Sequence, residues 1–125
     1  MRIIAIDPGG QTGIATFHGK SHELIHTMSV DLDDLERILK SLEPIDLNDI
    51  FVVETPPPDH SSKNLESAIR TIVAVLERVN LINWVMPGHW KPSPQGRLTH
   101  LDFPTEHEKD AVRMGMYFIQ LELKE

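Results

Sequence analysis

The sequence predicts an α/β fold: a mixed five-stranded sheet flanked by helices, with the first three strands antiparallel. Two observations predict it. Short apolar runs bounded by turn residues recur along the chain, and apolar residues at helical spacing fill the gaps between the later ones. Read in order, these segments give βββαβαβα, a hairpin meander followed by helical crossovers.

The first strand is Arg2 to Ile6, β-branched and apolar, ended by Asp7-Pro8-Gly9-Gly10. Thr12 to Phe17 is the second, close enough in sequence to form an antiparallel hairpin with the first. His22 to Val30 is the third, after the polar turn His18-Gly19-Lys20-Ser21. A helix starts at Asp31, carries Leu32, Leu35, Ile38, Leu39 and Leu42 on one face, and stops at Pro44. Ile50 to Glu54 is a fourth strand, apolar until its last residue. After three prolines, a second helix runs from about Ser62 to Asn80. Its apolar residues, among them Leu65, Ile69, Ile72, Val73 and Val75, cover more than a narrow stripe. Leu81 to Met86 is the fifth strand, and Pro92 to Phe103 reads as an irregular loop. The last helix opens with Thr105 as N-cap and Glu108 three residues on, a capping-box pattern. The first helical crossover can place strand four parallel beside strand one, giving the strand order 3-2-1-4-5.

At 125 residues the chain is long enough for one core and reads as a single domain, residues 1–125. It has no cysteine, which excludes a disulfide framework and a thiolate metal site. The opening apolar run is far short of the ~20 residues of a membrane span. A soluble, cytoplasmic protein without membrane partners is expected. The net charge of −7 argues at first against nucleic acid. Residues 21–54, however, carry nine of the acids against only Arg37 and Lys40, and residues 55–100 are slightly basic. A DNA face need only be locally basic, so net charge excludes little.

Two apolar strands each end in a carboxylate, Asp7 and Glu54. As parallel neighbours they would emerge at one sheet edge, where α/β sites form. On the last helix His107 and Asp110 stand three apart, on one face with Met114, Phe118 and Leu121 continuing it into the core. Three converging carboxylates repel unless a cation relieves them. Oxygen ligands with an imidazole suit Mg²⁺ or Mn²⁺. Two such ions, about 4 Å apart, would activate a water and stabilise the leaving 3′ oxygen in phosphodiester hydrolysis. Each piece alone has a plain structural reading, a turn, a strand end or a helix first turn. Their occurrence together, in this order, points to a metal-dependent nuclease.

Ile3-Ile4-Ala5-Ile6-Asp7-Pro8-Gly9 with Thr12-Gly13 resembles the opening strand and turn of the RuvC-type Holliday junction resolvases. Val52-Val53-Glu54 is similar to their second catalytic strand, and Lys63-Asn64 with Ser67-Ala68 to the helix after it. Trp90-Lys91 is similar to the segment after their fifth strand, and His107-Glu108-Lys109-Asp110-Ala111 to their last motif. The resemblance implies an RNase H-like fold, a homodimer, Mg²⁺ or Mn²⁺, and paired nicks across a four-way DNA junction. It assigns Asp7, Glu54, His107 and Asp110 to catalysis and metal, and Lys63, Lys91, Arg97 and His60 to DNA. The broad apolar surface of helix 62–80 suits the dimer contact.

The chain also departs from the family pattern. It is short between Lys91 and the last helix, so a basic stretch there is reduced to Lys91, Arg97 and His100. Where family members carry an aromatic that stacks on junction bases, this chain has Pro56-Pro57-Pro58-Asp59-His60. Recognition by shape, with looser sequence dependence, follows. The alternatives are another structure-selective DNA or RNA nuclease of the same fold, or a degenerate nuclease fold acting as a binding module. Asp7-Pro-Gly-Gly-Gln-Thr-Gly also resembles the phosphate hairpin of actin-like ATPases, but that class needs a duplicated second domain for which this length leaves no room.

Overall fold

The computed structural model describes residues 1–42, 48–55, 62–76, 82–86 and 103–121. Five strands, β1 (Arg2–Asp7), β2 (Gln11–His18), β3 (Leu24–Asp31), β4 (Ile50–Glu54) and β5 (Ile82–Val85), form one sheet in the order β3-β2-β1-β4-β5. β1–β2 and β2–β3 pair antiparallel, and β1–β4 and β4–β5 pair parallel. This is the expected topology. The helices are α1 (Leu32–Lys40), α2 (Lys63–Leu76) and α3 (Glu106–Leu121).

Alternation along the central strands divides the core in two. Ile3 and Ala5 of β1, Ala15 and Phe17 of β2 and Val52 of β4 pack under α3. Ile4 and Ile6, Ile14, Phe51 and Val53 point the other way and pack with α1 and α2. Strands buried on both faces read as unbroken apolar runs, which is why β1 and β4 stand out in the sequence.

Three local expectations differ from the structure. His22 is not in β3; it sits in the preceding turn at φ 62°, and its N–H donates to the His18 carbonyl at 2.9 Å. The chain must reverse there, and β3 begins only where apolar residues resume at Leu24. Val75, counted among the surplus apolar residues of α2, is in the core at 9% exposure, and the exposed one is Val73 at 37%. Leu121 does not continue the buried face of α3 and is 48% exposed. That face instead runs through Glu108, Ala111, Val112, Met114, Gly115, Phe118 and Ile119.

Gly115 lets α3 lie close to the sheet. A Cβ there would collide with the Phe17 ring and stand 3.2 Å from the Ala5 Cβ. Gly115→Ala should therefore destabilise the fold by about 1–3 kcal/mol through overpacking, although alanine is the better helix former. Urea denaturation checks this, and a more stable variant would contradict it.

Candidate active site

Asp7 and Glu54 are the last residues of β1 and β4. The parallel register pairs Ile6 with Val53, so the two carboxylates follow at the next position on strands about 5 Å apart. Asp7 continues the series Ile3, Ala5, and Glu54 the series Ile50, Val52; both series face α3. The two side chains are half-buried.

Across the β1–β2 pair, Asp7 faces Gly13. A Cβ on Gly13 would collide with the backbone carbonyl of His107, so the first turn of α3 rests directly on Gly13. Thr105 caps this turn: its Oγ1 accepts from the Glu108 N–H at 3.2 Å and donates to Glu108 Oε2 at 3.0 Å. Glu108 Oε1 in turn accepts from Thr27 Oγ1 of β3 at 2.8 Å. Glu108 thus points toward β3. Residues two apart lie about 200° round an α-helix, so Asp110 leaves α3 on a different side from Glu108. His107 lies about 60° from Asp110 round the helix. His107 is exposed; the Asp110 side chain is 25% exposed and pairs with Arg113 Nη1 at 3.4 Å.

Asp7 and Glu54 therefore share one sheet face and one sheet end, and α3, which carries His107 and Asp110, starts over Gly13 on that face. Hard carboxylate oxygens with an imidazole at the rim are a donor set that fits Mg²⁺ or Mn²⁺. As the side chains stand, no three His, Asp or Glu among the described residues close into a group that could hold a metal ion.

The turn after Asp7 is tied down from several sides. The Gly10 carbonyl accepts from the Leu32 N–H of α1 at 3.2 Å, and Thr12 Oγ1 donates to the Gly9 carbonyl at 3.3 Å. A Cβ on Gly10 would stand 3.2 Å from Asn64 Nδ2, which places the start of α2 against this turn. Lys63, the first residue of α2, is exposed beside it. His60, Lys91 and Arg97 lie outside the described residues, as do the proline run Pro56–Pro58 and Trp90.

No family model matches the chain, and no curated protein matches it in sequence. Solved structures match it in fold. RuvC of T. thermophilus in complex with a Holliday junction substrate superposes with a TM-score of 0.73 over 97% of this chain and 96% of that one, at 12% identity. The fold is that of the RuvC-type resolvases. Fowlpox virus resolvase in complex with Holliday junction DNA shares it, with a TM-score of 0.66 over 94% of this chain and 98% of that one, again at 12% identity. A second crystal structure, of the Fowlpox virus Holliday junction resolvase, gives a TM-score of 0.63 at 16% identity, over 96% of this chain and 99% of that one.

Within the RuvC-type fold, two residues that seat α3 on the sheet carry no sequence signal of that role. Glu108 reads as an ordinary capping-box residue, yet it is 5% exposed and bonded across to β3. Gly13 reads as part of a turn motif, yet its role is contact with the backbone of α3.

Proposed function

We propose that the chain is a metal-dependent endonuclease that cleaves four-way DNA junctions with paired, symmetric nicks. The observation that carries this reading is the pairing of Asp7 and Glu54 on adjacent parallel strand ends beneath the helix that bears His107 and Asp110. Asp7, Glu54 and Asp110 would hold the ions, with His107 at the rim. Two bound Mg²⁺ or Mn²⁺ ions would supply an activated water and stabilise the departing 3′ oxygen. Without cations the carboxylates repel a phosphodiester; with them the same residues orient it. Lys63, exposed at the start of α2 beside the Asp7 turn, supports a phosphate contact there. Lys91, Arg97 and His60 complete the proposed DNA contacts. No helix among the described residues is long and apolar enough to cross a membrane.

The test is cleavage of labelled four-way junction, linear duplex, flap and RNA hairpin with Mg²⁺, Mn²⁺ or EDTA. The reading expects cleavage of the junction first, loss of cleavage in EDTA, and nicks at symmetric positions. Equal cutting of the linear duplex, or a preference for the RNA hairpin, would contradict it.

Symmetric incision calls for two equivalent sites, and we place the two-fold axis near α2. Val73 is exposed on that helix, and Leu65 and Ile69 beside it are only partly buried. Sedimentation should show a dimer at micromolar concentration, and Val73→Glu should weaken it by about tenfold or more, ~1.4 kcal/mol. A monomer unaffected by the substitution would contradict the dimer.

A further inference from the structure

Glu108 is a charged residue where burial is costly, 5% exposed on the inner face of α3. A cap alone does not require that position, since a capping glutamate works at the surface. Here the carboxylate bridges two hydroxyls: Thr105 Oγ1 of the cap donates at 3.0 Å, and Thr27 Oγ1 of β3 donates at 2.8 Å. One bond holds the helix start together. The other ties it to a strand 81 residues away in sequence. Gly13, opposite Asp7, meanwhile sets how closely the backbone at His107 approaches the sheet.

Resting on the nuclease reading above, we infer that Glu108 is a positioning residue: its bond to Thr27 fixes the rotation of α3, and so aims Asp110 and His107 at Asp7 and Glu54. Gly13 sets the height of the helix start and Glu108 its roll. The magnitudes show why roll matters. A carboxylate carried about 6 Å from the helix axis moves about 2 Å for a 20° rotation. Metal sites tolerate only about 0.2 Å in ligand distance. Without the Thr27 anchor, the first turn keeps its contact on Gly13 but is free to roll over it. Glu108 itself points away from the candidate carboxylates, so it acts through Asp110 and His107 and touches no substrate.

The test uses the whole chain with Mn²⁺ as the probe. Calorimetric titration of Mn²⁺ is set beside kcat and KM on a four-way junction for wild type, Glu108→Ala, Glu108→Gln and Thr27→Val. Glu108→Ala and Thr27→Val should each weaken Mn²⁺ binding about tenfold and lower kcat about 10- to 100-fold. KM for the junction should stay within about twofold, because phosphate contacts on α2 are untouched. Glu108→Gln, which still accepts from Thr27, should recover most of both losses. If Glu108→Ala does not fold, Thr27→Val decides the matter, since it removes one hydroxyl and keeps the shape. Unchanged Mn²⁺ affinity and kcat in Thr27→Val, or a Glu108→Gln as impaired as Glu108→Ala, would overturn the inference. A wild-type chain that neither binds Mn²⁺ nor cleaves the junction would overturn the nuclease reading and this inference with it.

Discussion

Asp7→Asn should abolish cleavage of a four-way junction and leave binding of the junction intact or tighter. Asp7 ends the central strand and shares its register with Glu54, so the change removes one oxygen donor from the middle of the proposed site. A bound divalent ion contributes several kcal/mol to stabilising charge in phosphoryl transfer. Its loss corresponds to a rate reduction of about a thousandfold or more. Binding moves the other way, because a neutral amide no longer repels phosphate. Single-turnover cleavage beside a binding titration separates the two effects. An Asp7→Asn chain that cleaves at the wild-type rate would show that the chemistry lies elsewhere.

Asp49→Ala should destabilise the protein by about 1.5–3 kcal/mol, the range for losing hydrogen bonds to a charged group. The Asp49 side chain is 1% exposed and grips the start of β1. It accepts from the Arg2 backbone N–H at 2.8 Å, from Nε at 3.2 Å and from Nη2 at 2.7 Å. Arg2 Nη2 also donates to the Leu42 carbonyl at 3.1 Å, so one guanidinium joins β1, the end of the α1 region and the approach to β4. Alanine would leave these donors without the carboxylate, and with the Arg2 side chain only 30% exposed water would replace it in part. Because the latch lies at the opposite end of β1 from Asp7, the folded fraction should cleave with unchanged kcat. A urea midpoint shifted at constant slope would report the loss as stability. A shift worth under about 1 kcal/mol would contradict a structural latch.

The sheet order was legible because its physics is local. Ile3–Ile6 and Phe51–Val53 are apolar without a break because both faces are covered, and each run ends at a carboxylate. Helix periodicity found α1, where Leu35 and Leu39 are buried as expected. What failed was finer than pattern. Val73 and Val75 differ only in azimuth, and which one meets the core depends on how α2 sits on the sheet. The same holds for α3: a shift of its inner face to Glu108 and Gly115 left Leu121 outside. Glu108 was hidden for another reason, since its partner Thr27 is brought to it only by the finished sheet. Of the candidate site, Asp7 and Glu54 follow from strand ends alone. The side to which Asp110 points depends on the docking of α3, which no spacing in the sequence encodes.

The measurement that bears most directly on the proposed function is single-turnover cleavage of a labelled four-way junction by the purified chain, with Mn²⁺ and then with EDTA, with Asp7→Asn prepared in parallel as the control for contaminating nuclease. The predicted result is paired nicks with Mn²⁺ and an intact junction both in EDTA and with Asp7→Asn. An intact junction under all conditions, or nicks that persist equally in EDTA or with Asp7→Asn, would contradict it.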